Sequence, residues 1–216
     1  SVPKVWKGAL LLSDFLLCNG VLEGKTVLEL GGGTGLCSII AAMFADTVYC
    51  TDRGDDVLRL CRRNIDRNDH LYNGDAERKV HVRELDWTEE DPFVEGDGPW
   101  CWTPADRCNV QKIHVFLAAD VVYDNSLTDR FIGTLERLVK SSHQVVYVAL
   151  EKRINFTLDD LDVVSPAHSY FVGHLGRLLG NGWAVEKLPT EFPQSFRYTR
   201  DKYLVRRKNI LIIIFR

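Results

Sequence analysis

The segment Val27-Leu28-Glu29-Leu30-Gly31-Gly32-Gly33-Thr34-Gly35-Leu36 constrains the fold of this chain more than any other stretch. A short apolar run, Thr26–Leu30, passes directly into glycines and then into the helical pattern Ile39, Ile40, Met43. That order reads as strand, tight turn, helix. Glycines let the backbone turn sharply and let a ligand approach it with no Cβ in the way. Free amides at the start of the helix suit a carboxylate or a hydroxyl as well as a phosphate. The spacing is Glu-x-Gly-x-Gly-x-Gly, with Leu36 where a dinucleotide fingerprint needs its last glycine. A P-loop is excluded as well, because no Gly-Lys-Ser/Thr ending follows.

The rest of the chain repeats the alternation of strand and helix. Thr26–Leu30, Val48–Asp52, Val80–Asp86, Ile113–Asp120 and Gln144–Glu151 read as five strands, nearly continuously apolar, as strands covered on both faces are. Between them Val57, Leu58, Cys61 and Ile65 mark one helical face, opposite Arg59, Arg62, Arg63 and Arg67. Leu127, Phe131, Leu135 and Leu138 mark another, with Asn125 or Ser126 as its cap. Phe171, Leu175, Leu178 and Leu179 mark a third, stopped at Gly180-Asn181-Gly182. Trp183–Leu188 and Asn209–Phe215 then read as two strands with no helix between them, so they pair antiparallel. The predicted architecture is α/β: a Rossmann-like seven-strand sheet, with five parallel-type strands and a C-terminal antiparallel hairpin. It forms a single domain over 1–216, with an N-terminal helical segment (1–25) and the core in 26–216. Glu89–Lys112, rich in Pro, Gly and charge, reads as a loop-like insertion.

Composition excludes several classes. The 27 Lys and Arg against 30 Asp and Glu leave a net charge of -3, which argues against bulk-charge coating of nucleic acid. The longest clean apolar run, Ile210–Phe215, is far short of the roughly 18 residues that a membrane span needs. The opening stretch carries Asp14 and no basic leader or cleavage site, so it does not read as a secretory signal. A start at Ser1 rather than Met reads as a trimmed piece, from which a targeting segment is free to have been removed. The six cysteines show no CxxC pair or zinc spacing, which predicts reduced thiols in an intracellular protein, of the nucleus or cytoplasm, and no metal. Four of them, Cys18, Cys37, Cys50 and Cys61, sit in apolar-periodic segments as small hydrophobes.

Asp52 closes the second apolar run, and an acid at that strand end is placed to accept both hydroxyls of a ribose. With the glycine turn it points to an adenosine-containing ligand without a pyrophosphate, S-adenosylmethionine. On these residues the chain resembles the seven-strand S-adenosylmethionine-dependent methyltransferases. Trp6, ELGGGTGL at 29–36, Thr51-Asp52, Leu85-Asp86-Trp87, Asp120-Val121-Val122-Tyr123 and Glu151-Lys152-Arg153 narrow the likeness to methyltransferase-like family 16, the protein-lysine methyltransferases. The resemblance implies Trp6 over the methionine end of the cofactor, with Glu29, Gly31, Gly33, Thr34 and Gly35 around it. It also implies Asp52 on the ribose, Asp86 and Trp87 beside the adenine, and Ala119 beneath the sulfonium. Other readings of these residues stay open. Trp6 also fits core packing along an amphipathic stretch with Leu10 and Leu17, Trp87 a cap on the core, Asp86 a surface charge and Asp120 a strand-end cap.

The acceptor side rests on Asp120 and Tyr123, the candidate catalytic residues, at the end of the fourth strand. Amino-directed nucleic-acid enzymes carry Asn/Asp-Pro-Pro-Tyr there, and the missing prolines disfavour base methylation. A lysine amine, with an unperturbed pKa of about 10.4, is mostly protonated at neutral pH. An apolar tunnel lowers that value by desolvation, and Asp120 or Tyr123 orients the ammonium before its proton leaves to water. Glu84, Asp86, Glu89, Glu90, Asp91, Glu95 and Asp97 form an acidic run suited to a basic segment of a protein substrate. Arg197, Arg200, Lys202, Arg206, Arg207 and Lys208 make an opposite basic patch, read as a solvated edge. The expected partner is therefore a protein that presents a lysine, with nucleic acid and membrane disfavoured and the enzyme a monomer. The rivals are an N-methyltransferase of a small molecule or nucleic acid and a cofactor-binding scaffold without turnover.

Overall fold

The apolar runs become strands within two residues of where periodicity places them. The computed structural model describes residues 5–72, 79–151, 155–156, 163–164, 166–196 and 210–215. β1 (Thr26–Leu30), β2 (Thr47–Asp52), β3 (Val80–Glu84), β4 (Val115–Ala119) and β5 (Val145–Glu151) are parallel. β6 (Val185–Leu188) and β7 (Ile210–Phe215) complete a seven-stranded sheet in the order β3-β2-β1-β4-β5-β7-β6. The last strand in sequence is not at the edge. β7 lies antiparallel between β5 and β6, with Ile213 opposite both Val148 and Lys187. Outside this sheet a two-residue ladder pairs Asn155–Phe156 with Val163–Val164.

Six α-helices flank the sheet among the described residues: α1 (Lys7–Asn19), α2 (Leu36–Ala41), α3 (Asp55–Arg67), α4 (Pro104–Val110), α5 (Asn125–Leu138) and α6 (Pro166–Gly180), with a 3-10 turn at Asp69–Tyr72. Because side chains alternate along a strand, each strand feeds both faces. Val27, Val48, Val80 and Val115 pack with α1, α2 and α3, while Leu28, Tyr49 and Phe116 pack with α5 and α6. α3 buries Leu58, Cys61 and Ile65 as its periodicity predicts. α6 buries Phe171 and Leu178 but turns Leu179 outward, 53% exposed. The cap of α5 is Asp124, in extended backbone with its carboxylate accepting from Leu127 N at 2.9 Å, rather than Asn125 or Ser126. An N-cap must lie outside the helix, and both expected residues lie within its first turn.

The insertion Glu89–Lys112 is more ordered than its composition suggests. It contains α4, started by a capping box in which Thr103 and Asp106 bond each other's backbone amides. The Asp106 carboxylate also accepts from Arg83 Nε at 2.7 Å and from the Tyr49 hydroxyl at 3.2 Å. Trp102 is buried against Tyr49 and Phe93, and its indole donates to the Glu84 carbonyl at 2.6 Å. The segment thus closes the apolar face beside β3.

The cysteines are free, with Cys37, Cys50 and Cys61 buried, whereas Cys18 is exposed despite its apolar neighbours. No helix among the described residues is long and apolar enough to cross a membrane. The basic patch from Arg197 to Lys208 lies outside the described residues.

Candidate functional site

The glycine turn takes a backbone shape that ordinary residues avoid. Gly31, Gly33 and Gly35 have φ of 72°, 57° and 80°, in the left-handed region. Gly32 N donates to the Thr51 carbonyl at 2.8 Å, which ties the turn to β2. Behind it Glu29 is buried, and its carboxylate accepts from the amide of Ser38 at 2.9 Å and from the Ser38 hydroxyl. Burial pushes the Glu29 carboxyl up to about 7, against the pull of the Ser38 hydrogen bonds. The Thr34 carbonyl accepts from Asn64 Nδ2 at 2.8 Å, and Gly35 starts α2, where a Cβ would lie 3.6 Å from the backbone of Cys61. Glu29, Thr34 and Gly35 therefore shape the turn from behind instead of lining the space in front of it.

That space is a cavity of about 340 Å³ beyond the carboxyl ends of β1 and β4. It sits where the strand order reverses, the place at which open α/β sheets bind ligands. Gly31 and Gly33 border it with Asp52, Asp86, Trp87 and Ala119, and Trp6, Asp120 and Tyr123 line it as well. The two glycines differ. A Cβ at Gly31 would meet Val121 Cγ1 at 2.9 Å, while one at Gly33 would find nothing within 4 Å and would project into open space. Trp6 and Tyr123 are 44% and 57% exposed.

Hydrogen bonds qualify several expected roles. Asp52 accepts from Gly33 N at 2.8 Å through Oδ2 and from Arg53 N at 2.7 Å through Oδ1. Burial raises its pKa, and these two amides oppose the rise. A carboxylate has about four acceptor positions, so each oxygen keeps one for a further donor. Asp86, expected beside an exocyclic amine, pairs through Oδ2 with Arg53 Nε at 2.9 Å and through Oδ1 with the amide and hydroxyl of Thr88. Trp87 packs on Phe131 with ring centroids 5.4 Å apart while still bordering the cavity, so it caps the core and lines the site at once. Asp120 is buried, with φ 55°, and accepts from Gly8 N at 2.6 Å and Glu151 N at 2.7 Å.

Arg53, Leu85, Thr88, Val121 and Leu127 also line the cavity, although the sequence marks none of them as a site residue. Arg53, Leu85, Thr88 and Val121 adjoin the expected site residues Asp52, Asp86, Trp87 and Asp120. Leu127, on the first turn of α5, reads from the sequence only as part of that helix's apolar face.

The acidic run beside β3 is partly held by two arginines, one of them within the same insertion. Arg107 holds Asp91 at 2.9 Å and Glu95 at 3.0 Å, and Arg137 donates to the Glu89 and Glu90 carbonyls.

A family model described as lysine methyltransferase matches residues 2–164. Methyltransferase-like protein 22 of Mus musculus is 41% identical over 211 residues, which cover 93% of this chain and 53% of that protein. The chain thus spans about half the length of that relative. Protein N-lysine methyltransferase METTL21A of Danio rerio is 34% identical over 158 residues, 72% of this chain and 62% of that protein. Among solved structures, an O-methyltransferase from Bacillus cereus in complex with SAH shares the fold, with a TM-score of 0.53 and 13% identity. That match covers 100% of this chain and 82% of the other.

Proposed function

The chain belongs to the lysine methyltransferase family, and from that premise we propose that it transfers a methyl group from S-adenosylmethionine to the side-chain amine of a lysine in a protein. The observation that carries this reading is the cavity at the strand-order reversal, with Gly33 open before it and Asp52 beside it. Its residues fit the cofactor. Asp52 retains acceptor positions for two ribose hydroxyls, Leu85 and Trp87 offer apolar and aromatic surface to a flat base, and Ala119 leaves room at the end of β4. When bound, S-adenosylmethionine supplies an electrophilic methyl on a sulfonium.

The chain's own residues prepare the acceptor. Trp6 and Tyr123 border the cavity and remain exposed, so they are placed to flank the aliphatic stem of an entering lysine. Val121 and Leu127 exclude water beside them, and desolvation lowers the amine pKa from about 10.4 toward neutrality. Asp120 and Tyr123 orient the ammonium, whose proton leaves to water before attack. Positioning, rather than a strong general base, is the main contribution.

We also propose that the substrate segment is basic, drawn by those acidic side chains that remain exposed beyond β3, and that the enzyme acts as a monomer in the nucleus or cytoplasm. Incubating the chain with tritiated cofactor and a protein extract, then analysing the labelled bands by mass spectrometry, tests the activity. Methylated lysine is the expected product. Label confined to nucleic acid or small metabolites would overturn the acceptor class, and cofactor binding without labelling of any extract would leave a scaffold.

A further inference from the structure

The first turn of α1 is capped from a distance. Trp6 occupies its N-cap position in extended backbone and makes no side-chain capping bond. An indole cannot accept from the helix amides, so the N–H groups of the first turn need partners elsewhere. One is supplied across the fold, where Gly8 N donates to Asp120 Oδ2 at 2.6 Å in a buried contact. The other oxygen of the same carboxylate accepts from Glu151 N at 2.7 Å, at the last residue of the adjoining strand β5. Lys7 Nζ pairs with the Glu151 side chain next to it. A charged carboxylate before the positive end of a helix adds an electrostatic attraction to these bonds. Asp120 itself holds φ 55°, uncommon for a residue with a side chain and seen where surrounding structure enforces it.

This arrangement admits no side chain at position 8. A Cβ there would lie 2.7 Å from Asp120 Cγ, 2.8 Å from its Oδ2 and 2.9 Å from the Ala149 carbonyl oxygen. The backbone of α1 can approach the sheet this closely only because residue 8 is glycine. Trp6, two residues earlier, is carried by that approach to the edge of the cavity.

We propose that Asp120, through Gly8 and with Lys7–Glu151 beside it, is a positioning latch that holds α1 on the ends of β4 and β5 and thereby sets Trp6 on the cofactor cavity. The proposal rests on the cofactor reading above and gives Asp120 a task besides orienting the acceptor. Gly8 and Lys7 are then positioning residues for a site they do not line.

The test measures S-adenosylhomocysteine affinity by calorimetry and amide exchange across residues 6–12 by mass spectrometry. It compares the unaltered chain with Gly8→Ala, Trp6→Ala and the double variant. Gly8→Ala is expected to speed exchange in the first turn of α1 while β1 and β4 stay protected, and to weaken binding by about tenfold or more. Trp6→Ala should weaken binding to a similar degree, and the double variant should be no worse than Trp6→Ala alone, because one site acts through the other. Additive losses, or a Gly8→Ala chain that exchanges and binds like the original, overturn the latch. Should Gly8→Ala fail to fold, Lys7→Met breaks the ion pair and leaves Gly8 in place. Its expected signature is faster exchange at Gly8 and weaker binding, both restored by Lys7→Arg, and unchanged behaviour counts against the proposal. An unaltered chain that binds no S-adenosylhomocysteine refutes the cofactor reading, while exchange at Gly8 still decides whether α1 is latched.

Discussion

Gly33 and Glu29 show how single residues divide the labour at the site. Gly33 has φ 57° and open space where a Cβ would go, so Gly33→Ala faces no steric clash within the fold. Its cost to stability should be the left-handed backbone alone, about 1 kcal/mol, while the new methyl stands in the cavity. Calorimetry should therefore show S-adenosylhomocysteine affinity falling by tenfold or more, with only a modest drop in unfolding temperature. Glu29 works behind the turn. Its carboxyl titrates near 7 in the folded chain against 4.5 ordinarily, so the folded state binds more protons between those values. Stability from this group is full below about 4.5 and is lost as pH rises through about 7. Glu29→Gln cannot ionise and should gain on the unaltered chain by up to about 3 kcal/mol between pH 5 and pH 8. Thermal unfolding at the two pH values reads that crossover directly.

At the scale of elements, caps and inserted helices decide what composition left ambiguous. Asp124 bonds Leu127 N to start α5, the helix that carries Leu127 to the cavity. Asp124→Ala should cost about 1 kcal/mol in denaturant unfolding, whereas Asn125→Ala and Ser126→Ala should cost less than half of that. In α4, Asp106 joins the capping box, Arg83 and Tyr49, three interactions from separate parts of the chain. Burial works against its charge, but the Thr103 and Arg83 hydrogen bonds outweigh it and hold the carboxyl below its usual value of 3.8. Its stabilisation is present above the unfolded value and is lost as pH falls through the lower folded one. Thr103→Ala leaves Arg83 and Tyr49 in place and should cost about 1 kcal/mol, while Asp106→Ala strands a half-buried guanidinium and should cost two to three times as much, on the order of 3 kcal/mol.

The whole molecule depends on a strand that arrives last in the sequence. β7 pairs with β5 on one side and β6 on the other, so it joins β6 to the parallel sheet. A chain ended before Ile210 would leave β5 with an unpaired apolar edge and β6 with no partner in the sheet. Such a chain is expected to aggregate and to lose its cooperative thermal transition, as light scattering and calorimetry would report. The near-neutral net charge of -3 also becomes spatial at this scale. The acidic run lies beyond the carboxyl end of β3, on the side of the sheet that carries the cavity, with Arg107 and Arg137 holding part of it in place.

The sequence by itself determined the strand and helix alternation, the antiparallel pairing at the C-terminus and the glycine turn between strand and helix. Each is written in local terms: apolar periodicity, an absent crossover helix, glycines at fixed spacing. It also made Asp52 a candidate, because its position at a strand end follows from the same pattern. Only the tertiary structure decided where β7 goes, since strand order depends on which edges are available and not on any property of Ile210–Phe215 alone. It also separated Gly31 and Gly33, which face the cavity, from Glu29, Thr34 and Gly35, which brace the turn. A motif gives spacing along the chain, but which side of a turn a residue faces depends on what packs against it. Asp120 shows the difference most clearly. Its place in the Asp-Val-Val-Tyr tetrad marks it as a site residue, but only the fold brings Gly8 and Glu151 to its two oxygens.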